Sequence, residues 1–142
     1  MSPDGASGRP ALRVAASLLL ASLVLAGCSA GPAGPREIAV EMHFSRYLPA
    51  ALTVAAGTTV SFELRNTDPI AHEFIIGTEA EQLAHERGNL NDPHTAPGQA
   101  AIPGDRTLLL RYTFTTPGVL IYACHRPGHY QYGMRGVIRI TG

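Results

Sequence analysis

Four side chains that could bind a metal ion stand in two parts of this 142-residue sequence. Cys124, His129 and Met134 lie in one short segment, with four residues between each neighbouring pair, and His72 lies far upstream. A thiolate and a thioether favour Cu(I), whereas imidazole nitrogens also suit Cu(II). The set therefore predicts a mononuclear copper site that can change oxidation state. Zinc could use the thiolate and the imidazoles, but structural zinc sites are built from Cys and His rather than methionine.

The periodicity of β-strands indicates how these donors come to lie close together. Successive side chains of a strand point to opposite faces, so His72 shares a face with Phe74, and Cys124 shares one with Tyr122. A histidine that faces the interior of a sandwich is costly to bury unless a partner satisfies its nitrogens. We expect a metal at one end of the sandwich to satisfy His72 and Cys124, with the following loop folding back to bring the other two donors.

The rest of the chain predicts an all-β fold. Apolar and polar residues alternate through 38–44, 60–65 and 108–114, and shorter strands are predicted at 119–124 and near 136–140. Glycine and proline residues separate these segments, and the spacing of βαβ units is absent from the sequence. The pattern favours an all-β sandwich or barrel.

One segment predicts a short helical insertion between two strands. Residues 78–87 are good helix formers, and Gly88 is a stop signal after them. Residues 89–99 then indicate an irregular loop with two prolines. Such excursions often carry function, although this one could simply cover the end of a sheet.

The N-terminal residues predict export from the cytoplasm. Arg9 and Arg13 precede an apolar run at 14–26, which is short for a membrane span and ends in small residues. Residues 1–27 are therefore predicted to be a cleaved signal peptide. The ending Leu-Ala-Gly-Cys resembles a bacterial lipoprotein box, in which cleavage leaves Cys28 as the lipidated first residue. Ordinary secretion with a free cysteine is the alternative.

The remaining chain divides into a flexible tether, 28–36, which is rich in Gly, Pro and Ala, and a folded domain, 37–142. If lipid occupies Cys28, Cys124 is the one thiol of the domain, and an internal disulfide is excluded. An exposed thiol outside the cytoplasm would be open to oxidation, so we expect Cys124 to be buried or bound to metal. The 11 basic and 11 acidic residues balance, and we expect no nucleic acid partner.

The segments that hold the four donors resemble those of the small blue copper proteins, the cupredoxins. Residues 66–74 (Asn-Thr-Asp-Pro-Ile-Ala-His-Glu-Phe) are similar to the family's first ligand segment, and Cys124, His129 and Met134 match the other three ligands. The resemblance covers about residues 37–142. It implies a cupredoxin-like domain, a Greek-key β-sandwich or barrel, that binds one type 1 copper ion through all four residues.

The chain departs from this family directly after the cysteine. Many members have Ser or Thr there, bonded to an Asn near the first histidine, whereas this chain has His125. We therefore expect altered bonding of Asn66, and His125 as an exposed loop residue or a hydrogen-bond donor near the site rather than a ligand. Cys-His with a second His further on also resembles the last domain of multicopper oxidases. The His-x-His pairs of their trinuclear cluster are missing from the sequence, so we expect no enzyme activity.

The resemblance implies an electron carrier that passes electrons through a partly exposed His129 to redox partner proteins. We expect a monomer, tethered through Cys28 to the cell membrane on its extracytoplasmic side. The alternative is a copper chaperone or copper-resistance protein, which extra donors would support. Those extra donors, which are otherwise solvated surface histidines and a core methionine, are His43, His85, His94 and Met42. Tyr130 and Tyr132 are predicted to form an apolar rim around His129.

Overall fold

The computed structural model describes residues 35–88 and 94–142. These residues belong to one compact unit with nine strands and one helix in the described part of the chain. The elements are β1 (Arg36–His43), β2 (Arg46–Leu48), β3 (Ala51–Ala55), β4 (Thr58–Asn66), β5 (His72–Gly77), α1 (Glu79–Glu86), β6 (Gln99–Ile102), β7 (Arg106–Phe114), β8 (Gly118–Ala123) and β9 (Arg135–Thr141).

The strands form two sheets. One has four strands in the order β2-β1-β4-β7, and the other has five in the order β3-β9-β8-β5-β6. Strand β1 runs parallel to β4 and β3 runs parallel to β9, while the other neighbouring strands are antiparallel. The predicted all-β fold with one short helix is confirmed.

The core lies between the two sheets, and β4 shows how the sequence pattern produces it. Val60, Phe62 and Leu64 are completely buried, whereas the residues between them are partly exposed. The ring of Phe62 lies 5.3 Å from that of Phe74 in the other sheet, measured between centroids. Burial of each large apolar side chain contributes about 1.5–3 kcal/mol, so the alternation specifies which face of the strand turns inward.

Strand β5 is buried on both faces, since every residue from His72 to Gly77 is buried. Helix α1 packs beside it, and the buried Gln82 donates hydrogen bonds to the carbonyls of Ile75 and Ile121 at 2.8 and 2.9 Å. The helix begins after Thr78, which forms a capping box with Glu81. The helix predicted at 78–87 is therefore confirmed, and it holds β5 to β8.

Three details differ from the sequence prediction. Phe44 does not continue the alternation of β1: the strand ends at His43, Phe44 has φ of 49°, and its side chain is 80 % exposed. The irregular loop predicted to reach Gln99 ends one residue earlier, because Gln99 begins β6. Strands β2 and β3 were not predicted, because three and five residues are too few to establish a period.

The predicted signal peptide, Cys28 and residues 29–34 of the predicted tether lie outside the described residues, as do residues 89–93 of the predicted loop. Among the residues that the structure describes, no helix has the length and apolar character needed to cross a membrane.

Candidate metal centre

Three of the four predicted donors converge at one end of the sandwich. His72 Nδ1 lies 3.3 Å from His129 Nδ1, and Cys124 Sγ lies 3.4 Å from the same nitrogen. Each residue offers a ligand atom within 4.8 Å of the other two. His72 and Cys124 are completely buried, and His129 is half-buried.

The strands bring these residues together. His72 begins β5, Cys124 directly follows β8, and the two strands pair antiparallel with Ile75 opposite Ala123. His129 lies in the loop between β8 and β9. The pairing of β5 with β8 therefore brings together donors that are far apart in sequence.

Met134 closes the loop that carries His129. Its amide donates to the carbonyl of His129 at 2.9 Å, and its own carbonyl accepts from the amide of Cys124 at 3.2 Å. Its side chain is completely buried in the same apolar core as Cys124. The backbone of Met134 is thus bonded to two of the converging residues, so this residue lies at the same end of the fold.

The thiol of Cys124 has an environment suited to a bound sulfur. Burial raises the pKa of this thiol to about 11, although hydrogen bonds from the amides of Arg126 and Glu73 oppose the shift. The Glu73 amide nitrogen lies 3.4 Å from Sγ. Without metal the thiol therefore keeps its proton at neutral pH, and a metal ion would take the place of that proton.

His129 offers a neutral nitrogen. Burial lowers the pKa of its imidazole, and the positive charges of His72 and Arg126 lower it further. A metal-binding histidine must be deprotonated at the donating nitrogen, so the lowered pKa favours the form that binds.

Asp68 holds the other imidazole. His72 Nε2 lies 2.8 Å from Asp68 Oδ2, and the amides of Phe44 and Ser45 donate to the two carboxylate oxygens at 2.7 and 2.8 Å. Burial alone would raise the pKa of Asp68, but the hydrogen bonds from Ser45, His72 and Phe44 outweigh it and lower the pKa below its ordinary value. Sequence analysis missed this carboxylate, although it lies inside the segment that carried the family resemblance.

Of the two alternatives for His125, the exposed loop residue is wrong, since His125 is 5 % exposed, and the hydrogen-bonded residue is the one that the structure shows. Its Nε2 lies 2.6 Å from Gln82 Oε1, and its Nδ1 lies 2.9 Å from Glu86 Oε2, so it is fastened to helix α1. Its ring stacks between those of His85 and Tyr130, at 5.6 and 4.9 Å between centroids. Contact with helix α1 therefore buries a histidine that the sequence places in a loop.

The apolar rim predicted around His129 is wrong for one of its two tyrosines. Tyr130 is 9 % exposed and stacks on His125, whereas Tyr132 is 78 % exposed. Tyr132 alone of this pair is available to a partner.

The expected change in the bonding of Asn66 is present. Its side-chain amide donates to the carbonyls of Ile70, Ile102 and Pro103 at 2.8, 3.1 and 3.0 Å, and its oxygen accepts from the amide of Asp68 at 3.0 Å. Asn66 thus orders the loop before His72.

The other histidines lie in separate places. His43 Nδ1 contacts Thr67 Oγ1 at 2.9 Å, and His94 Nε2 contacts Glu73 at 3.2 Å. Across residues 35–88 and 94–142, the one group of three close His, Cys or acidic side chains is that of His72, Cys124 and His129. Met42 is completely buried in the core, as predicted.

The converging donors fit copper. One sulfur and two imidazole nitrogens, enclosed by a core that contains a thioether, combine soft and borderline ligands that serve both oxidation states of copper. The carboxylate behind His72 and the amides that face Sγ supply the outer contacts that such sites require.

The chain is similar in sequence to proteins that are named as copper proteins. The chain is 35% identical over 96 residues to the copper-resistant cuproprotein CopI of Rubrivivax gelatinosus. The matched segment covers 66% of this chain and 58% of that protein. It is 27% identical over 137 residues to the CopI of Pseudomonas aeruginosa, covering 74% of this chain and 76% of that protein. The chain thus spans little more than half the length of the first of these relatives.

Solved structures share the fold. Auracyanin B superimposes with a TM-score of 0.67 at 20% identity, covering 79% of this chain and 94% of that one. Auracyanin A from Chloroflexus aurantiacus, described as a "blue" copper protein, gives a TM-score of 0.63 at 24% identity, covering 76% of this chain and 100% of that one. A family model described as a cupredoxin-like domain matches residues 15–93, more than half of the chain. On this match and this fold, the chain belongs to the cupredoxin-like domain family.

Proposed function

We propose that this chain is an electron-transfer protein with one type 1 copper ion bound by His72, Cys124, His129 and Met134. The observation that carries the proposal is the convergence of two imidazoles and a buried thiol within 4.8 Å of one another. Bound copper would supply the chemistry by alternating between Cu(I) and Cu(II), which stores and releases one electron.

The surrounding residues serve this function by holding the donors still. The amides of Glu73 and Arg126 donate to Cys124 Sγ, Asp68 fixes His72, and the backbone of Met134 ties the loop. Because these contacts hold the donors in one geometry, the donors would move little when the oxidation state of the metal changes.

The half-buried His129 and the exposed Tyr132 share the ligand loop. We propose that redox partner proteins meet the molecule at this loop, where the imidazole edge comes closest to solvent.

The visible absorption spectrum of the copper-loaded protein tests the metal assignment. We expect an intense band from thiolate-to-copper charge transfer, bleached by a mild reductant. Cys124→Ser should abolish the band, and Cys28→Ser, the same change at the only other cysteine, should leave it unchanged. A band that survives in Cys124→Ser would show that this thiolate is not a ligand.

Copper resistance is a second candidate function, favoured by the relatives. The two described above and a third, from Vibrio cholerae at 33% identity, are all named copper-resistant cuproprotein CopI. In that role the same four side chains would bind surplus copper rather than carry electrons.

Two measurements distinguish these functions. A host that lacks the gene should regain growth on copper with the wild-type chain but not with Cys124→Ser if the role is resistance. A carrier should instead keep its copper in the presence of a chelator through repeated oxidation and reduction. Rapid loss of copper to the chelator would argue against the carrier.

We also propose that the chain acts outside the cytoplasm as a monomer, anchored to the cell membrane by lipid on Cys28. The support is the basic and apolar N-terminal segment and the Leu-Ala-Gly-Cys sequence. Fractionation of cells tests it: the wild-type chain should sediment with membranes, and Cys28→Ser should not. We propose no oxidase activity, since the given sequence contains none of the His-x-His pairs that a trinuclear copper cluster needs.

A further inference from the structure

The carboxylate of Asp68 is fixed from several directions. The amides of Phe44 and Ser45 each donate to one of its oxygens, at 2.7 and 2.8 Å, and its own amide donates to Asn66 Oδ1 at 3.0 Å. The side chain is almost fully enclosed, with Asp68 6 % exposed. Hydrogen bonds to an ionised acceptor are about twice as strong as neutral ones, so this arrangement stabilises a charged carboxylate.

The turn that supplies the two amides has a left-handed backbone conformation at both of its residues. Phe44 and Ser45 have φ of 49° and 51°, in the left-handed region that side chains other than glycine rarely enter. Each such residue costs on the order of 1–3 kcal/mol and persists where the surroundings impose it. The two-residue hairpin between β1 and β2 requires this conformation at both positions, and it directs both amides to Asp68.

The carboxylate in turn determines which nitrogen of His72 carries the proton. Asp68 Oδ2 lies 2.8 Å from Nε2 and can only accept, so Nε2 must donate. In a neutral ring the lone pair is then on Nδ1, which lies 3.3 Å from His129 Nδ1 on the side of the converging donors. The opposite tautomer would place a hydrogen where a metal has to bind.

We infer that Asp68 is a positioning residue for the metal ligand His72, which selects the Nε2–H tautomer, fixes the ring and makes Nδ1 a stronger donor. A more basic imidazole and a negative charge nearby stabilise Cu(II) more than Cu(I). The statement about Cu(II) rests on the proposed function, whereas the statement about the tautomer concerns the protein without metal.

Nitrogen-15 NMR of the metal-free protein tests the tautomer. The two ring nitrogens of His72 should give well separated shifts, with the proton on Nε2. In Asp68→Ala the two shifts should move towards each other as both tautomers become populated. A wild-type ring that carries its proton on Nδ1 would overturn the inference, even if the alanine variant fails to fold.

Asp68→Asn tests the role of the charge, because an amide oxygen can still accept from Nε2 but carries no net charge. Loss of an outer partner of a metal-bound histidine typically weakens metal binding about 10- to 100-fold. We expect a loss of that size for Cu(II), a smaller loss for Cu(I), and so a higher reduction potential. Asp105→Asn is the control, since Asp105 is exposed in a neighbouring loop and undergoes the same chemical change.

Equal losses for both oxidation states, or none, would overturn the assignment of Asp68. Failure of the proposed function gives a different result: the wild-type chain would show no charge-transfer band with copper, while the His72 tautomer would still depend on Asp68.

Discussion

Replacement of Gln82 by leucine should destabilise the fold strongly, although leucine is a good helix former of similar size. The change removes three hydrogen bonds, to the carbonyls of Ile75 and Ile121 and from the ring of His125. The groups on Ile75 and His125 are left buried, and each buried unsatisfied group costs about 1–3 kcal/mol. After the gain from extra apolar burial, we expect a net loss of about 3 kcal/mol.

Urea unfolding of the metal-free protein measures this loss. With a slope of about 1.5 kcal/mol/M, the midpoint should fall by about 2 M while the slope stays constant. Leu83→Ala is the matched control on the same helix, because Leu83 is 43 % exposed and should change stability by less than about 0.5 kcal/mol. A Gln82→Leu midpoint close to that of the wild type would refute the view that this side chain joins helix α1 to the two strands.

Three further predictions concern other contacts. In metal-free Cys28→Ser protein, the Cys124 thiol should react slowly with a disulfide reagent at pH 8, because it is buried and burial raises its pKa to about 11. The reaction should become rapid in urea. A fast reaction in the native protein would contradict the burial of this thiol. Hydrogen bonds from Thr78 lower the pKa of Glu81 below 4.5, so its stabilising effect should be complete above that pH and disappear as the pH falls below it. Unfolding measured from pH 6 to pH 3 should show a smaller acid loss in Glu81→Gln than in the wild type. Met134→Leu should keep the charge-transfer band and raise the reduction potential, since a weak sulfur donor would be removed. An unchanged potential in voltammetry would argue against Met134 as a ligand.

The parts of the fold that follow from local patterns could be predicted from sequence. Strand β4 was predicted because Val60, Phe62 and Leu64 alternate with more polar residues, and the structure buries all three. Helix α1 was predicted from its composition and its stop signal, and its N-terminal cap agrees. The grouping of the two histidines with the cysteine followed from residue types and spacing.

The parts that depend on contacts distant in sequence could not be predicted. His125 is buried because Gln82, 43 residues earlier, lies against it, and no local pattern shows that helix α1 packs there. Phe44 leaves the strand pattern because the chain reverses there to pair β2 with β1, and its amide then meets Asp68, 24 residues later. Both features arise only when separate segments meet.

The separation of the donors along the chain has a consequence for the order in which the protein matures. His72 and His129 are 57 residues apart, whereas Cys124, His129 and Met134 lie in one short segment that an unfolded chain already offers to a metal. The complete site forms only once β5 lies beside β8, so the full affinity for the metal develops only with folding. A metal that prefers the native state adds to its stability by mass action, about 2.7 kcal/mol when free metal is a hundredfold above the dissociation constant. The ion would then stabilise the folded protein and slow its unfolding, unlike the zinc of small domains that cannot fold without it.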